Sequence, residues 1–169
     1  LLMRAFGNLK ITDARLVIAG PDESGYLKRL KNLASALGIA SKVVFTGPLY
    51  GQDKLSALVD ADIFVLPSRN ENFGNVVAES IAVGTPVVVT DKCGIAPHVR
   101  EKAGLVVPVV QHAIEDALAR LLYDQALYRR LCDGCKHVAR ELTWEEPVDQ
   151  LQELYRALIV EKPSCHTSV

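Results

Sequence analysis

The stretch Ile63-Phe-Val-Leu-Pro-Ser-Arg-Asn-Glu-Asn-Phe-Gly-Asn-Val-Val-Ala-Glu-Ser-Ile-Ala-Val-Gly-Thr-Pro-Val-Val-Val-Thr90 decides the fold of this chain. Its first four residues form a short apolar run that stops at Pro67, the length and ending of a buried strand. A polar loop with one glycine, Gly74, follows. Residues 75–83 then read as a helix, with Val76, Val77, Ile81 and Ala82 putting apolar side chains almost all the way round it. Gly84 stands where a left-handed helix cap belongs, and Pro86–Val89 resumes as a second apolar strand. A strand, a helix and a strand joined this tightly make a parallel crossover unit.

The alternation extends both ways. Further apolar, β-branched runs occur at Leu16–Ala19, Val43–Phe45 and Leu105–Val107, and helical patterns cover about 24–37, 52–60 and 111–123. No run alternates with polar residues, so both faces of every strand are expected to be buried, as in a parallel sheet. The predicted fold class is α/β: a doubly wound, mainly parallel, Rossmann-like sheet with helices on both faces. After Pro108 the pattern turns helical at 111–123, 125–141 and 145–159. Residues 1–160 are expected to form one domain and 161–169 a frayed tail. The first ten residues read as a helix with no strand ahead of them. In the common doubly wound order the first strand is central, so a gap is expected in the sheet, with the first strand and an upstream segment missing.

Composition narrows the function. With 49% apolar residues and a formal net charge of −1, nothing calls for nucleic acid or an anionic membrane as a general partner. No apolar run approaches the roughly 18–20 residues that span a bilayer, and the opening residues lack a signal-peptide core. The expected location is cytoplasmic, with peripheral membrane contact only through an acceptor. The motif Cys132-Asp-Gly-Cys135-Lys-His137 fits no cofactor. Haem attachment needs the histidine directly after the second cysteine, zinc needs a second ligand pair, and a redox pair opens a helix after a strand. The expectation is packing, with Leu127, Leu131, Cys135, Val138 and Leu142 on one helix face.

The chemistry lies at residues 71–79. Free backbone N–H groups at a helix start, reinforced by the macrodipole, bind anions, and Gly74 lets a phosphate approach closely. Glu79 lies about 6–7 Å further along the axis, the span from a pyrophosphate to its ribose diol, which a carboxylate accepts well. A charge in so apolar a helix needs a partner. Glu71, across the phosphates, faces the other end of such a ligand.

These residues resemble glycosyltransferase family 4, whose members have the GT-B fold of two facing Rossmann-like domains. The family's C-terminal domain carries two glutamates with seven residues between them, an aromatic-glycine pair after the first, and a Gly-x-Pro-Val strand downstream. Glu71 and Glu79, Phe73-Gly74, and Gly84-Thr85-Pro86-Val87 match in order. The resemblance implies a donor-binding domain of a retaining, metal-independent glycosyltransferase without a cofactor. Glu71 would be the catalytic-site glutamate on the donor sugar. Asn72, Phe73, Gly74, Asn75 and Val76 would line the sugar and pyrophosphate, with Glu79 at the ribose. The nucleobase would lie near Gly20, Gly47, Pro48 and Leu49. The implied partners are a nucleotide-sugar donor, an acceptor that is a glycan, lipid or small molecule, and a missing N-terminal GT-B domain. The family's basic phosphate-binding pair follows the first strand, the one expected to be missing. Asn72 replaces a usual glycine and is expected to take its left-handed turn; Asn75 adds a donor near phosphate. Arg69 is a candidate phosphate or acceptor contact, His98 a surface histidine, Tyr128-Arg129-Arg130 a solvated face and Trp144 a packing anchor. Two other readings compete: a non-catalytic nucleotide-sugar-binding module and a GT-B nucleotide-sugar epimerase. A dinucleotide dehydrogenase is disfavoured, because Gly20 continues as Pro-Asp-Glu-Ser-Gly rather than GxGxxG.

Overall fold

The computed structural model describes residues 1–143 and 145–160, excluding the side chains of Glu146 and Val160. Trp144 and the expected tail at 161–169 lie outside the described residues. Helix α1 (Leu2–Asn8) leads into β1 (Leu16–Ala19), α2 (Tyr26–Ala36), β2 (Val43–Gly47), α3 (Gly51–Val59) and β3 (Phe64–Leu66). Then come α4 (Asn75–Ala82), β4 (Val87–Thr90), α5 (Ala96–Val99), β5 (Gly104–Val107), α6 (Gln111–Tyr123), α7 (Gln125–Glu141) and α8 (Glu145–Val160). Every strand pairing is parallel, with Leu16 opposite Val43, Phe64 opposite Val87, and Val87 also opposite Gly104. The expected alternation of strand and helix is what forms.

The sheet is split. β1 pairs with β2, β3–β4–β5 form a second sheet, and no ladder joins β1 to β3. A cleft of about 1150 Å³ separates them, lined by all of β1 and β3 together with Leu1, Leu2, Phe6 and Leu9 at its α1 side. The gap falls where the doubly wound order places its first strand.

The three-stranded sheet carries helices on both faces. On one, Val87 and Val89 pack with Val77 and Ile81 of α4, α5 and the end of α7; on the other, Val88 and Leu105 pack with Ala5, α6 and the start of α7. β4 is wholly buried. The expectation of burial on both faces fails for β1 and β2: Val17 is 54% exposed and Val44 41%. Leu16, Ile18, Val43 and Phe45 pack beneath α1 and α2, and the opposite face belongs to no buried cluster among the described residues. Two strands separated from the main sheet receive cover from one side only.

The turns follow their residues. Gly84 (φ 92) caps α4, donating to the Ile81 carbonyl, while Thr85 N–H reaches back to Ser80; Gly38 (φ 68) ends α2 in the same way. These are paired carbonyl caps that only a left-handed residue completes. Helix α7 starts with the Asp124 carboxylate accepting from Leu127 N–H at 2.9 Å. Its face Leu127, Leu131, Cys135 and Val138 is buried, with Leu142 packed against it, as expected. Gly134 lies there because a Cβ would come within 1.8 Å of the Lys102 carbonyl oxygen. Burial pushes the Cys135 thiol up to about 12, with Cys132 adding to it, the opposite of a reactive thiolate. Arg129 and Arg130 are exposed, but Tyr128 is half-buried, so the solvated face is narrower than expected. Burial, aided by Cys132, pushes the Tyr128 hydroxyl up to about 12.

Two outcomes follow from this packing. Gly134→Ala, which would raise helix propensity at an open position, should instead cost about 1–3 kcal/mol in urea unfolding, because α7 must move off Lys102. Cys135 holds its proton more tightly folded than unfolded. Its contribution to stability should therefore be complete below pH 9 and lost as pH rises towards 12, measurable by urea midpoints across that range.

Candidate functional site

The loops that end β1, β2 and β3 meet at one end of the cleft. Gly20 and Pro21 come from the first, Pro48, Leu49 and Tyr50 from the second, and Pro67 and Arg69 from the third, with Val76 from the first turn of α4. The first two loops are joined by Gly20 N–H donating to the Gly47 carbonyl at 2.9 Å. In open α/β sheets this carboxyl end is where ligands bind.

The loop between β3 and α4 is held by the segment after β4. The Thr90 hydroxyl donates to the Ser68 carbonyl. Glu71 N–H donates to Lys92 (3.1 Å), Gly94 N–H to Glu71 (3.0 Å) and Ile95 N–H to Phe73 (2.9 Å). Gly94 is needed at this seam, since a Cβ there would lie 1.9 Å from the Asn72 carbonyl oxygen. The loop then turns at Gly74, left-handed at φ 100, which is the N-cap of α4 and supplies no side-chain cap. Val77 and Ala78 N–H donate to the Gly74 carbonyl at 2.8 and 3.4 Å, which leaves Asn75 and Val76 as the first amides of α4 without an intrahelical acceptor. Asn72, Phe73 and Asn75 around them are exposed, and Val76 half-buried. Asn72 does not take the left-handed turn expected of it: Lys10, Ser24 and Glu101 are the non-glycine residues with positive φ among those described. The loop is shaped by Gly74 and Gly94 instead.

Glu79 has the partner its setting demands. Its Oε1 accepts from Lys54 Nζ of α3 at 2.7 Å, with both side chains 35% exposed. Its Oε2 is buried without a hydrogen-bond partner among the described residues. A pair this exposed contributes roughly 0–1 kcal/mol, whereas an unsatisfied buried acceptor costs about 1–3 kcal/mol. The pair with Lys54 therefore adds little to the stability of the fold. Glu71, half-buried, forms an isolated bridge to Cys93 through its backbone, and its carboxylate enters none of the ion pairs among the described residues.

Of the residues expected at the site, Gly20, Pro48, Leu49 and Val76 line the cleft, Glu79 is tied to it through Lys54, and Arg69 sits at its lip, exposed. Glu71, Asn72, Phe73 and Gly74 form the loop leading to Val76. His98 is exposed on α5, as expected. Sequence reasoning missed Lys54, Thr90 and Gly94. Lys54 belongs to no motif and is found only through its contact, whereas the glycine between Cys93 and Ile95 was itself a signal of close approach.

The chain is similar to known proteins. The family described as glycosyl transferases group 1 matches residues 1–137. The D-inositol 3-phosphate glycosyltransferase of Corynebacterium urealyticum is 39% identical over 147 residues, covering 85% of this chain and 35% of that protein. Its counterpart in Salinispora tropica is 35% identical, covering 95% of this chain and 36% of that protein. The chain thus spans about a third of the length of these curated relatives. Among solved structures, sucrose-phosphate synthase of Thermosynechococcus elongatus superposes with a TM-score of 0.79 at 27% identity, over 95% of this chain and 42% of that one. Anabaena Alr3699/HepE, solved with UDP and glucose, superposes at 0.82 with 20% identity, over 92% of this chain and 44% of that one.

A stability measurement tests the reading of Glu79. Glu79→Gln should leave the urea unfolding free energy within about 0.5 kcal/mol of the parent, or raise it. A loss of more than 2 kcal/mol would make the residue structural.

Proposed function

The chain belongs to the glycosyl transferases group 1 family, and from that premise we propose that it is the donor-binding domain of a retaining, metal-independent glycosyltransferase. The enzyme moves a sugar from a nucleoside diphosphate to an acceptor. The observation that carries this reading is the open start of α4, which no side chain caps, behind a loop held by the segment after β4. Amides at a helix N-terminus bind a pyrophosphate in the ground state and take up charge on the leaving group as the glycosidic bond breaks. No metal is needed where backbone dipoles supply that stabilisation. Glu79, one turn along, accepts from the ribose. Glu71, in the pinned loop, accepts from hydroxyls of the donor sugar and orients the anomeric carbon. The base lies against Gly20, Gly47, Pro48 and Leu49, where the ends of β1 and β2 meet. The UDP and UDP-sugar complexes of the Anabaena protein support a nucleotide-sugar donor.

The acceptor is held by the second Rossmann-like domain that the family's architecture implies. Transfer therefore needs that domain as well as this one, and the protein acts in the cytoplasm.

Calorimetric titration with UDP, GDP and ADP tests the proposal. One of the three should bind the folded chain. Glu79→Ala should weaken that nucleotide by about tenfold or more, the scale of hydrogen bonds to a charged acceptor. Glu71→Ala should leave nucleoside diphosphate affinity within about twofold and instead remove any preference for the nucleotide sugar. A folded chain that binds none of them would overturn the reading.

A further inference from the structure

We infer that Thr90 is a positioning residue for Glu71: its buried hydroxyl carries the pairing of β3 with β4 on into the loop and fixes the backbone from which the Glu71 carboxylate meets the donor sugar. This rests on the sugar role proposed for Glu71 and names what sets that carboxylate in place. The backbone ladder between β3 and β4 ends at Leu66 opposite Val89, and Pro67 brings no N–H to continue it. The amide of Asp91 donates the other way, to the Val107 carbonyl of β5 at 2.8 Å. The donor towards the loop is therefore the Thr90 side chain, whose hydroxyl reaches the Ser68 carbonyl. Three residues on, Glu71 has both backbone groups taken by the segment that Thr90 opens. Its N–H donates to Lys92 at 3.1 Å, and its carbonyl accepts from Gly94 at 3.0 Å. Thr90 closes that segment too, its own carbonyl accepting from Cys93 N–H at 3.2 Å. It thus grips the loop with its side chain and the facing turn with its backbone. The Glu71 carboxylate enters no ion pair among the described residues, so its direction depends on the backbone that carries it.

The competing account is a threonine that does no more than fill the core. Thr90 follows three valines in β4, and all four residues are buried. A fourth valine would fill the same volume, suit the strand as well and bury no polar group. A hydroxyl at this one position brings a donor where the loop offers a carbonyl and the ladder has ended. Thr85, ahead of β4, is a natural control. It is also buried, and its hydroxyl donates to the Leu58 carbonyl of α3 at 2.7 Å, a bond that touches nothing in the loop.

The experiment combines amide hydrogen exchange with calorimetric titration on the full chain and on Thr90→Val, Thr90→Ala, Thr90→Ser and Thr85→Val. The ligands are UDP, GDP and ADP and their glucose, N-acetylglucosamine and mannose esters. The parent should prefer one nucleotide sugar over its own nucleoside diphosphate by about fivefold or more, the scale of a hydrogen bond to a charged acceptor. Thr90→Val and Thr90→Ala remove the hydroxyl with and without its volume. Both should bring that ratio to within about twofold and leave nucleoside diphosphate affinity within about threefold. Both should also speed exchange at the Glu71 amide by about tenfold or more relative to the Phe64 amide in the ladder. Thr90→Ser should keep the ratio and the protection, and Thr85→Val should lower the urea midpoint while moving neither. If the hydroxyl-free variants fail to fold or leave both readouts as in the parent, or if Thr85→Val moves them as far, Thr90 is structural. The inference then fails while the donor site stands. A parent that binds a nucleoside diphosphate without preferring any of its sugars removes the sugar role of Glu71, and this inference with it, but keeps the phosphate site. A parent that binds no nucleotide ends the donor reading itself.

Discussion

Gly74 turns the chain from β3 into α4 at φ 100, in a space where a Cβ would lie 3.3 Å from Leu66, 3.4 Å from Val77 and 3.5 Å from Ile95. The left-handed backbone is what points to glycine; only the approach to Leu66 is tighter than an ordinary contact. The consequence is a helix that starts at the cleft with its first amides uncapped by any side chain. Around this turn the fold spends several interactions on one loop: the Thr90 hydroxyl, the Lys92 and Glu71 carbonyls, and the amides of Gly94 and Ile95. The loop is thereby tied to the segment after β4 at several points. A pre-set array of donors costs little to reorganise when an anion arrives, which is how such sites gain their electrostatic effect.

The split sheet sets the surroundings of that turn. With β1 and β3 unpaired across a cleft, the three-stranded unit carries nearly all of the fully buried core, and β1–β2 is covered on one face. The loops after β1 and β2 nevertheless line the same cleft as Val76 of α4, joined to one another through Gly20 and Gly47.

Much of this was legible from the residues. The strands and helices followed from apolar runs and from glycines at helix ends, because local propensity and tertiary demand agree there. The motif at 71–79 located the uncapped helix, since glycine after a loop and a glutamate one turn on carry local geometry. Other features were not legible because they depend on distant partners. The exposure of Val17 and Val44 depends on what fails to cover them. The Asn72 carbonyl packs against Gly94, more than twenty residues downstream, where a side chain would not fit. Lys54 reaches Glu79 across 25 residues of sequence, and neither residue announces the other. Cys132 and Cys135 show the reverse case: a suggestive spacing whose explanation is the close approach of α7 to Lys102 and Ala103.

The central claim is that the start of α4 is the phosphate site. Amide NMR of the isotopically labelled chain, titrated with UDP, GDP and ADP, tests it residue by residue. The N–H signals of Asn75 and Val76 should move most as the preferred nucleotide binds, with those of Gly74 and Val77 following. A nucleotide that binds while these four signals stay in place, and others move instead, would contradict the account.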